Sequence, residues 1–355
     1  MQNLLLSKNF WKNKNVFLTG HTGFKGSWLS IYLNLLGSKI TGYALKPESK
    51  SLYNIAKLKK IFAKSYINDI RDYSKFKSAI IKSNAEIIFH LAAQPLVTES
   101  YDKPRSTFDI NIMGTVNLID IVKDIKKIKS VIIVTTDKVY DVKKNKVFKE
   151  TDNIKGNDPY SMSKVCCELV TESYANSFKS LQKKIICTVR AGNVIGGGDF
   201  SKNRLIPDIY RSYNSKKKLI IRNPNHIRPW QHVIEPLSGY IKLAEINYKK
   251  KTNKKFQNWN FGPDLKDCKT VRYVVEKFSK NIFIKSKILM TKNKIKETSL
   301  LRLNNLKSKK FLKWSPKWTL DDSILKIVEW NKKIKNNNAL SVCEKQIEEY
   351  MNFKK

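Results

Sequence analysis

The segment Val16-Phe17-Leu18-Thr19-Gly20-His21-Thr22-Gly23-Phe24-Lys25-Gly26 constrains this chain more than any other. A short apolar run stops at Gly20, and glycine then recurs every third residue. An apolar-patterned stretch follows, with Trp28, Leu29, Ile31, Tyr32, Leu33, Leu35 and Leu36 ahead of Gly37. The pattern predicts a strand, a tight turn, a helix and a second strand over Lys39 to Ala44. Gly20 permits the sharp turn, Gly23 lets backbone N–H groups approach a phosphate, and Gly26 lets the helix lie against the strand. The unpaired donors of the helix N-terminus then face an anion. The spacing is G-x-x-G-x-x-G, not the commoner G-x-G-x-x-G. A glycine trio also suits ordinary turns. Its place between a buried strand and an amphipathic helix points to a dinucleotide site at Gly20, Thr22, Gly23, Phe24, Lys25 and Gly26.

The rhythm continues. Ser65 to Asp72 reads as a third strand ending in Asp69-Ile70, and Ser74 to Ser83 as a helix. Glu86 to Pro95 is an apolar strand running into the small residues of Leu91-Ala92-Ala93-Gln94, which permit close approach of a ligand. Asp109 opens a helix through Ile125, and Ser130 to Val134 is a buried strand that ends at Thr135-Thr136-Asp137-Lys138. Asp158-Pro159 starts another helix, with the acid as cap and proline at the first helical position. Ile185 to Val189 is a sixth strand, and Trp259 to Gly262 returns as one more. Strands alternating with helices predict an α/β fold, a doubly wound parallel sheet (Rossmann), with a smaller C-terminal substrate-binding domain. The expected division is 1–191 for the dinucleotide domain, with 233–263 returning to it, and 192–232 plus 264–355 for the substrate region. Ligands of such sheets sit at the C-terminal strand ends. From Arg190 the texture changes to glycines, prolines and placed arginines, which suits substrate contacts. The tail from Ile282 to Lys355 reads as helical, with Trp314, Trp318 and Trp330 giving it a core.

The net charge of +39 would ordinarily suggest nucleic acid or an anionic surface. Lysine is spread along the whole chain, however, with clusters at Lys143-Lys144, Lys216 to Lys218 and Lys249 to Lys251, and it travels with abundant Asn and Ile. That joint bias is compositional. No nucleic-acid motif accompanies it, so specific nucleic-acid binding is not expected. No run of eighteen apolar residues occurs and the N-terminus does not read as a secretory signal, so a cytoplasmic protein without a membrane association is expected. The five cysteines show no C-x-x-C spacing and read as reduced thiols, with no disulfide or metal framework.

Tyr160 and Lys164 stand four residues apart on one predicted helix and share a face. A tyrosine serves as a base near neutral pH only when nearby cations and donors lower its pKa, by about three units. Lys164, a cationic cofactor ring and the Thr136 hydroxyl could together do so. At the second strand end, Tyr43-Ala44-Leu45-Lys46 stands where an acid would hold an adenosine ribose, and Lys46 could meet a 2′-phosphate, so these residues leave NAD and NADP both open.

With these motifs the chain resembles the extended short-chain dehydrogenase/reductase family, through Thr19 to Gly26, His90 to Gln94, Asn111 to Thr115 and Tyr160-x-x-x-Lys164. Within it the chain is similar to the nucleotide-sugar 4,6-dehydratases. The blocks carrying that are Gly20 to Trp28, Ala93 to Val97, Thr136-Asp137-Lys138, Arg190 to Asp199, Arg204 to Asp208 and Ile227 to Val233. The resemblance spans about Phe10 to Trp330. It implies NAD as cofactor, with Asp69, Ile70, Leu91, Ala92, Ala93, Thr135, Tyr160 and Lys164 joining the glycine turn in binding it. It implies CDP-glucose as substrate, oxidised at C4, dehydrated across C5 and C6, and reduced at C6. Another nucleotide-sugar 4,6-dehydratase or a 4-epimerase is the alternative. Tyr160 would take the C4 hydroxyl proton, Thr136 would bond that oxygen, Asp137 would protonate the departing C6 hydroxyl, and Lys164 would hold the cofactor ribose. Lys138 stands where sister dehydratases have a glutamate that serves as the C5 base. Gln94, Asn193, Arg204, Arg222 and Arg228 are the expected substrate contacts, the arginines as forks for a pyrophosphate. His90 and His232 are expected to be structural. A homodimer or higher homo-oligomer is implied.

Overall fold

The computed structural model describes residues 7–141, 146–215, 218–249, 256–282, 288–291 and 299–353. Lys143, Lys144, Lys216, Lys217, Lys250 and Lys251 of the lysine clusters lie outside the described residues, as do parts of the tail. Seven strands form one sheet: β1 (Asn15–Thr19), β2 (Lys39–Ala44), β3 (Lys64–Ile67), β4 (Ile87–His90), β5 (Ser130–Val134), β6 (Ile185–Ala191) and β7 (Phe256–Phe261). Their order is β7-β6-β5-β4-β1-β2-β3, and every pairing is parallel. β1 lies between β2 and β4, with Val16 opposite Ile40 and Ile87. The order reverses there, so the crevice beyond the C-terminal ends of β1 and β4 is where a ligand of this fold binds.

Alternation along the strands explains the two layers of helix. Val16 and Leu18 of β1 belong to one apolar cluster and Phe17 to another. β5 divides the same way, Ile132 and Val134 against Val131 and Ile133. Both faces are apolar, as in a sheet covered on each side. One face is covered by helix α1 (Phe24–Leu35), which buries Trp28, Leu29 and Ile31. The other is covered by α2 (Tyr73–Ser83) and α3 (Gly114–Lys123), which bury Phe76, Ile80, Leu118 and Val122. α2 is capped by the Asp72 side chain on Lys75 N and ends at Asn84 in the left-handed conformation. Helix α4 (Pro159–Ser177) has Pro159 in its first turn and a reciprocal cap between Asp158 and Ser161.

The third strand is shorter than its sequence suggests. It stops at Ile67, and Asp69-Ile70 falls in the turn beyond it. Helix α5 (Ile234–Lys249) and β7 come from the expected returning segment and extend the sheet beside β6. A smaller apolar cluster joins Ile206 and Ile209 of helix Leu205–Ser215, Leu219, Ile221 and Trp230, Val274 and Phe278 of helix Val271–Ile282, and Ile324 and Ile327 of helix α6 (Leu320–Lys333).

The tail tryptophans do not form a core of their own. Trp314, Trp318 and Trp330 belong to the main cluster with Trp28, Leu237 and Tyr240. The cause is a buried acid on α5. Glu235 accepts hydrogen bonds from Lys317 N at 3.0 Å, Trp318 N at 2.7 Å and Tyr350 Oη at 2.6 Å. Ser238, one turn on, meets Trp314 Nε1 at 2.9 Å and Tyr350 Oη at 3.0 Å. Tyr350 lies on helix α7 (Ala339–Asn352), which this network seats among the main-sheet helices. Burial pushes the Glu235 carboxyl up to about 7, against the pull of those donors. Tyr350→Phe removes a donor from a buried carboxylate, and stability is expected to fall by about 1–3 kcal/mol. The urea midpoint reads this, and a midpoint equal to the parent's would show that the bond holds nothing. Among the described residues, no helix is long and apolar enough to cross a membrane.

Candidate functional site

The glycine turn follows β1 with Gly20 at φ +74°, where a side chain would also meet Ala92 N at 2.8 Å. A Cβ on Gly26 would lie 2.0 Å from Gly20 O, so only glycine lets α1 sit on the turn. Gly23 begins α1 with no side-chain cap, and its Cβ position meets only Gly20 O, at 3.4 Å. No side chain caps the first turn of α1, which leaves its N-terminal donors available to a dinucleotide phosphate.

The expected contacts around that turn are partly used by the protein itself. The Thr22 hydroxyl donates to Leu45 O at 3.0 Å. Thr19 Oγ1 takes the N–H groups of Leu91 at 3.0 Å and Ala92 at 3.1 Å, which fixes the end of β4 beside β1. Asp69 pairs with Arg71, the main reason its carboxyl is held below the usual range, while Ile70 is buried against Gly114. Phe24 reaches Gly196, and Ala93 is half-buried just beyond β4.

At the end of β5 the chain turns once, over Asp137–Val139, with Thr136 Oγ1 accepting from Lys138 N at 3.3 Å. The turn delivers Thr136 and Asp137 to the first turns of α4. The Thr136 hydroxyl donates to Asp137 Oδ1 at 3.2 Å. Burial pushes the Tyr160 phenol up to about 12, and the nearby Thr136 hydroxyl and the Arg204 charge oppose that rise. Lys164 is buried and donates to Val134 O at 3.1 Å, not to the phenol. Burial lowers its ammonium, with Glu168 acting against it.

Asp137 is 2 % exposed, and its Oδ2 has no hydrogen-bond partner in the protein. Burial raises its carboxyl to about 6, against the charges of Lys138, Arg228 and Lys25. A group of this kind can hold a proton near neutral pH and donate it. Lys25 is drawn down to about 8, first by burial and then by Arg204. Its side chain therefore belongs to the charged cluster, a role the phosphate-turn motif does not reveal. Arg204 is ion-paired with Asp199 at 3.1 Å.

The raised Asp137 carboxyl has a consequence for stability. The folded form keeps a proton that the unfolded chain releases near 3.8. The penalty for burying the charge is absent below about pH 4 and complete above about 6. Asp137→Asn is expected to stabilise the fold by up to about 3 kcal/mol at pH 8 and by nothing at pH 4. Denaturant titrations at the two pH values read the difference. A loss of stability at pH 8 would mean that the charged carboxylate is held favourably.

Of the expected substrate contacts, Arg204 and Arg228 join this cluster. Arg222 ends a separate ribbon, Leu219–Arg222 paired with Ile288–Thr291. Asn193 is half-buried beside Val194–Ile195, and its carbonyl accepts from Gln231 N at 3.0 Å. The Gln94 amide is spent on its own loop, through Leu96 and Thr107. The two histidines are structural: His90 bonds Thr19 at 2.9 Å, and His232 packs edge-on to Trp28 and Trp318. Burial lowers both to about 3. Among the described residues, no three of His, Cys, Asp and Glu come together as a metal site.

Three comparisons bear on this arrangement. A family model described as GDP-mannose 4,6 dehydratase matches residues 17–327. The CDP-glucose 4,6-dehydratase of Salmonella typhimurium is 44% identical, over 98% of this chain and 99% of that protein. A UDP-glucose 4-epimerase of Mycoplasma genitalium is 26% identical, over 70% of this chain and 76% of its own. Among solved structures, a dTDP-glucose 4,6-dehydratase from Bacillus anthracis in complex with NAD is similar, with TM-score 0.76 and 24% identity, covering 90% of this chain and 97% of that one. A Thermotoga maritima UDP-glucose 4-epimerase with UDP-glucose has TM-score 0.79 and 21% identity, covering 91% and 100%. Both structures match the doubly wound fold. Since the family model and the Salmonella relative each run through the glycine turn, the Thr136-Asp137 strand end and the Tyr160 helix, the chain belongs to the nucleotide-sugar epimerase/dehydratase family of extended short-chain dehydrogenase/reductases.

Proposed function

We propose that this protein is an NAD-dependent CDP-glucose 4,6-dehydratase, which converts CDP-glucose to CDP-4-keto-6-deoxyglucose and water. The observation that carries the reading is the 44% identity to a CDP-glucose 4,6-dehydratase across nearly the full length of both chains. NAD, when bound by residues of this chain, would supply reversible hydride acceptance and a positive ring charge.

The glycine turn, with Gly20, Gly23 and Gly26 and the donors from Phe24 and Lys25, would hold the dinucleotide phosphates. Thr22, Asp69, Ile70, Leu91, Ala92 and Ala93 would shape the walls of that crevice. Tyr160 takes the proton of the C4 hydroxyl, and Thr136 holds the same oxygen through its own hydroxyl. A phenol pushed up to about 12 is a poor base by itself. Arg204 and the cofactor's ring charge bring it within working range, and Lys164 adds a buried cation one helical turn away. Once C4 is a ketone, the C5 proton becomes acidic. Asp137 then gives its proton to the C6 hydroxyl, which leaves as water. Its unpartnered Oδ2 and its raised pKa fit that role. Lys138 serves the C5 step, either by taking the proton itself or by stabilising the enolate while water takes the proton.

Arg204, Arg228, Arg222, Asn193 and Gln94 are assigned to the substrate, with Arg204 and Arg228 supported by their place in the charged cluster. We assign 192–232 and 264–355 to the substrate region and 1–191 with 233–263 to the dinucleotide domain, with helix α7 of the tail packed back on the latter. Tyr101, Met113 and Leu169 are exposed on neighbouring helices, which supports a homodimer through that face. The second reading, a 4-epimerase, has no use for an acid that expels the C6 oxygen, and the buried Asp137 speaks against it.

The experiment is incubation with CDP-glucose, dTDP-glucose, UDP-glucose and GDP-mannose in turn, followed by alkali. Absorbance of a 4-keto-6-deoxy sugar is expected with CDP-glucose alone. The same absorbance with another nucleotide would move the assignment to that substrate. A galactose configuration without absorbance would make the protein an epimerase.

A further inference from the structure

A fully buried polar chain runs behind the catalytic turn. Glu168 lies one helical turn beyond Lys164 on α4, and Arg190 lies on β6; they are 2 % and 1 % exposed. Arg190 Nε donates to both Glu168 oxygens, at 2.8 and 3.1 Å, and its second arm also reaches Oε2. Its remaining arm donates to Tyr140 Oη at 2.7 Å, and the guanidinium lies 4.7 Å from that ring. Tyr140 Oη in turn donates to Asn260 Oδ1 on β7 at 2.7 Å. At the other end, Thr135 Oγ1 donates to Glu168 Oε1 at 2.7 Å.

Removing two charges from water costs several kcal/mol per ion, and a buried pair of this kind is weak ground for stability. Its merit here is geometric. Thr135 immediately precedes Thr136, whose hydroxyl acts on the Tyr160 phenol and donates to Asp137 Oδ1 at 3.2 Å. Glu168 stands on the same helix as Tyr160 and Lys164. The Thr135–Glu168 bond is therefore a direct polar tie between the catalytic strand end and the catalytic helix. Arg190 clamps Glu168 with a planar fork, which fixes the carboxylate in one orientation. A carboxylate held this way can hold the Thr135 hydroxyl in turn.

We propose that Thr135 and Glu168 are positioning residues, which set the Thr136 hydroxyl against Tyr160 through the Arg190-clamped carboxylate. Thr135 then acts through Glu168 and not by touching the cofactor. The proposal rests on the dehydratase reading. Catalysis of proton transfer depends on placement to fractions of an ångström, so loss of this tie should act on turnover and not on substrate binding.

The test compares Thr135→Val with Thr135→Ser. Valine keeps the shape and removes the donor; serine keeps the donor. With CDP-glucose, kcat of the valine variant is expected to fall about tenfold, with KM within about twofold of the parent. Serine should recover most of the loss. Thermal denaturation of both variants supplies the folded fraction to which kcat is normalised. If valine does not fold, Thr135→Ala carries the same comparison. Parental kcat per folded molecule in the valine or alanine variant would overturn the proposal, as would serine failing to recover it. A rise in KM with kcat unchanged would also overturn it and return Thr135 to ligand binding. A parent protein inert on CDP-glucose but active on another nucleotide-sugar would refute the substrate assignment alone, and the comparison is then made on that substrate.

Discussion

Tyr160→Phe is expected to lower kcat by about 10²–10⁴-fold while leaving substrate affinity near that of the parent. The ring fills the same space, so the packing of α4 is kept. What disappears is the oxygen assigned to take the C4 hydroxyl proton, on which Thr136 acts. Proton removal precedes every later step, so oxidation, water loss and final reduction should all slow together. Solvent hydrogen should not enter C5 in this variant, because that exchange needs the 4-ketone. The phenol, pushed up to about 12 by burial, also predicts a direction with pH. Turnover limited by this group should rise as pH increases, until some other group fails. Near-normal turnover in the phenylalanine variant would remove Tyr160 from the mechanism.

Substitution of Lys138 is expected to separate the early and late chemistry. The lysine follows Asp137 in the turn after β5 and remains half-exposed, with its charge among those that pull on the Asp137 carboxyl. Lys138→Ala is expected to keep the first oxidation and lose elimination, so that 4-keto sugar builds up with C6 oxygen still attached. The scale of a lost acid–base group applies, about 10²–10⁴-fold on the elimination step. Lys138→Glu tells the two roles apart. A lysine that abstracts the C5 proton can be replaced in part by a carboxylate, so glutamate should restore some elimination. A lysine that stabilises the enolate works by positive charge, and glutamate should then be worse than alanine. Exchange of C5 hydrogen with solvent at the parent rate in both variants would show that Lys138 has neither role.

The fold was legible because its signals are local and periodic. Apolar runs such as Ser130 to Val134 can lie only in a covered sheet, and Gly20 and Gly26 answer contacts that no other residue fits. Asp158-Pro159 announced the start of α4 through capping chemistry. What was not legible depends on partners far away in sequence. Trp314 and Trp318 look like the core of a separate tail until Glu235, some eighty residues earlier, takes the N–H groups of Lys317 and Trp318. The bonds of the Gln94 amide to Leu96 and Thr107 are of the same kind, for Thr107 is placed there only by the fold. So is the bond of the Thr135 hydroxyl to Glu168. One signal for Glu168 was present: it stands four residues after Lys164 and so shares its face of the helix. Its partner Arg190 could be recognised only once β6 was placed beside β5.

The central claim is that one hydrogen leaves C4 and arrives at C6 of the same sugar. CDP-glucose carrying deuterium at C4 tests it most directly, with the product taken apart by mass and magnetic resonance. The account predicts a 4-keto-6-deoxy product with the deuterium in its C6 methyl group and solvent hydrogen at C5. Deuterium retained at C4 of an inverted sugar, or lost to water, would contradict it.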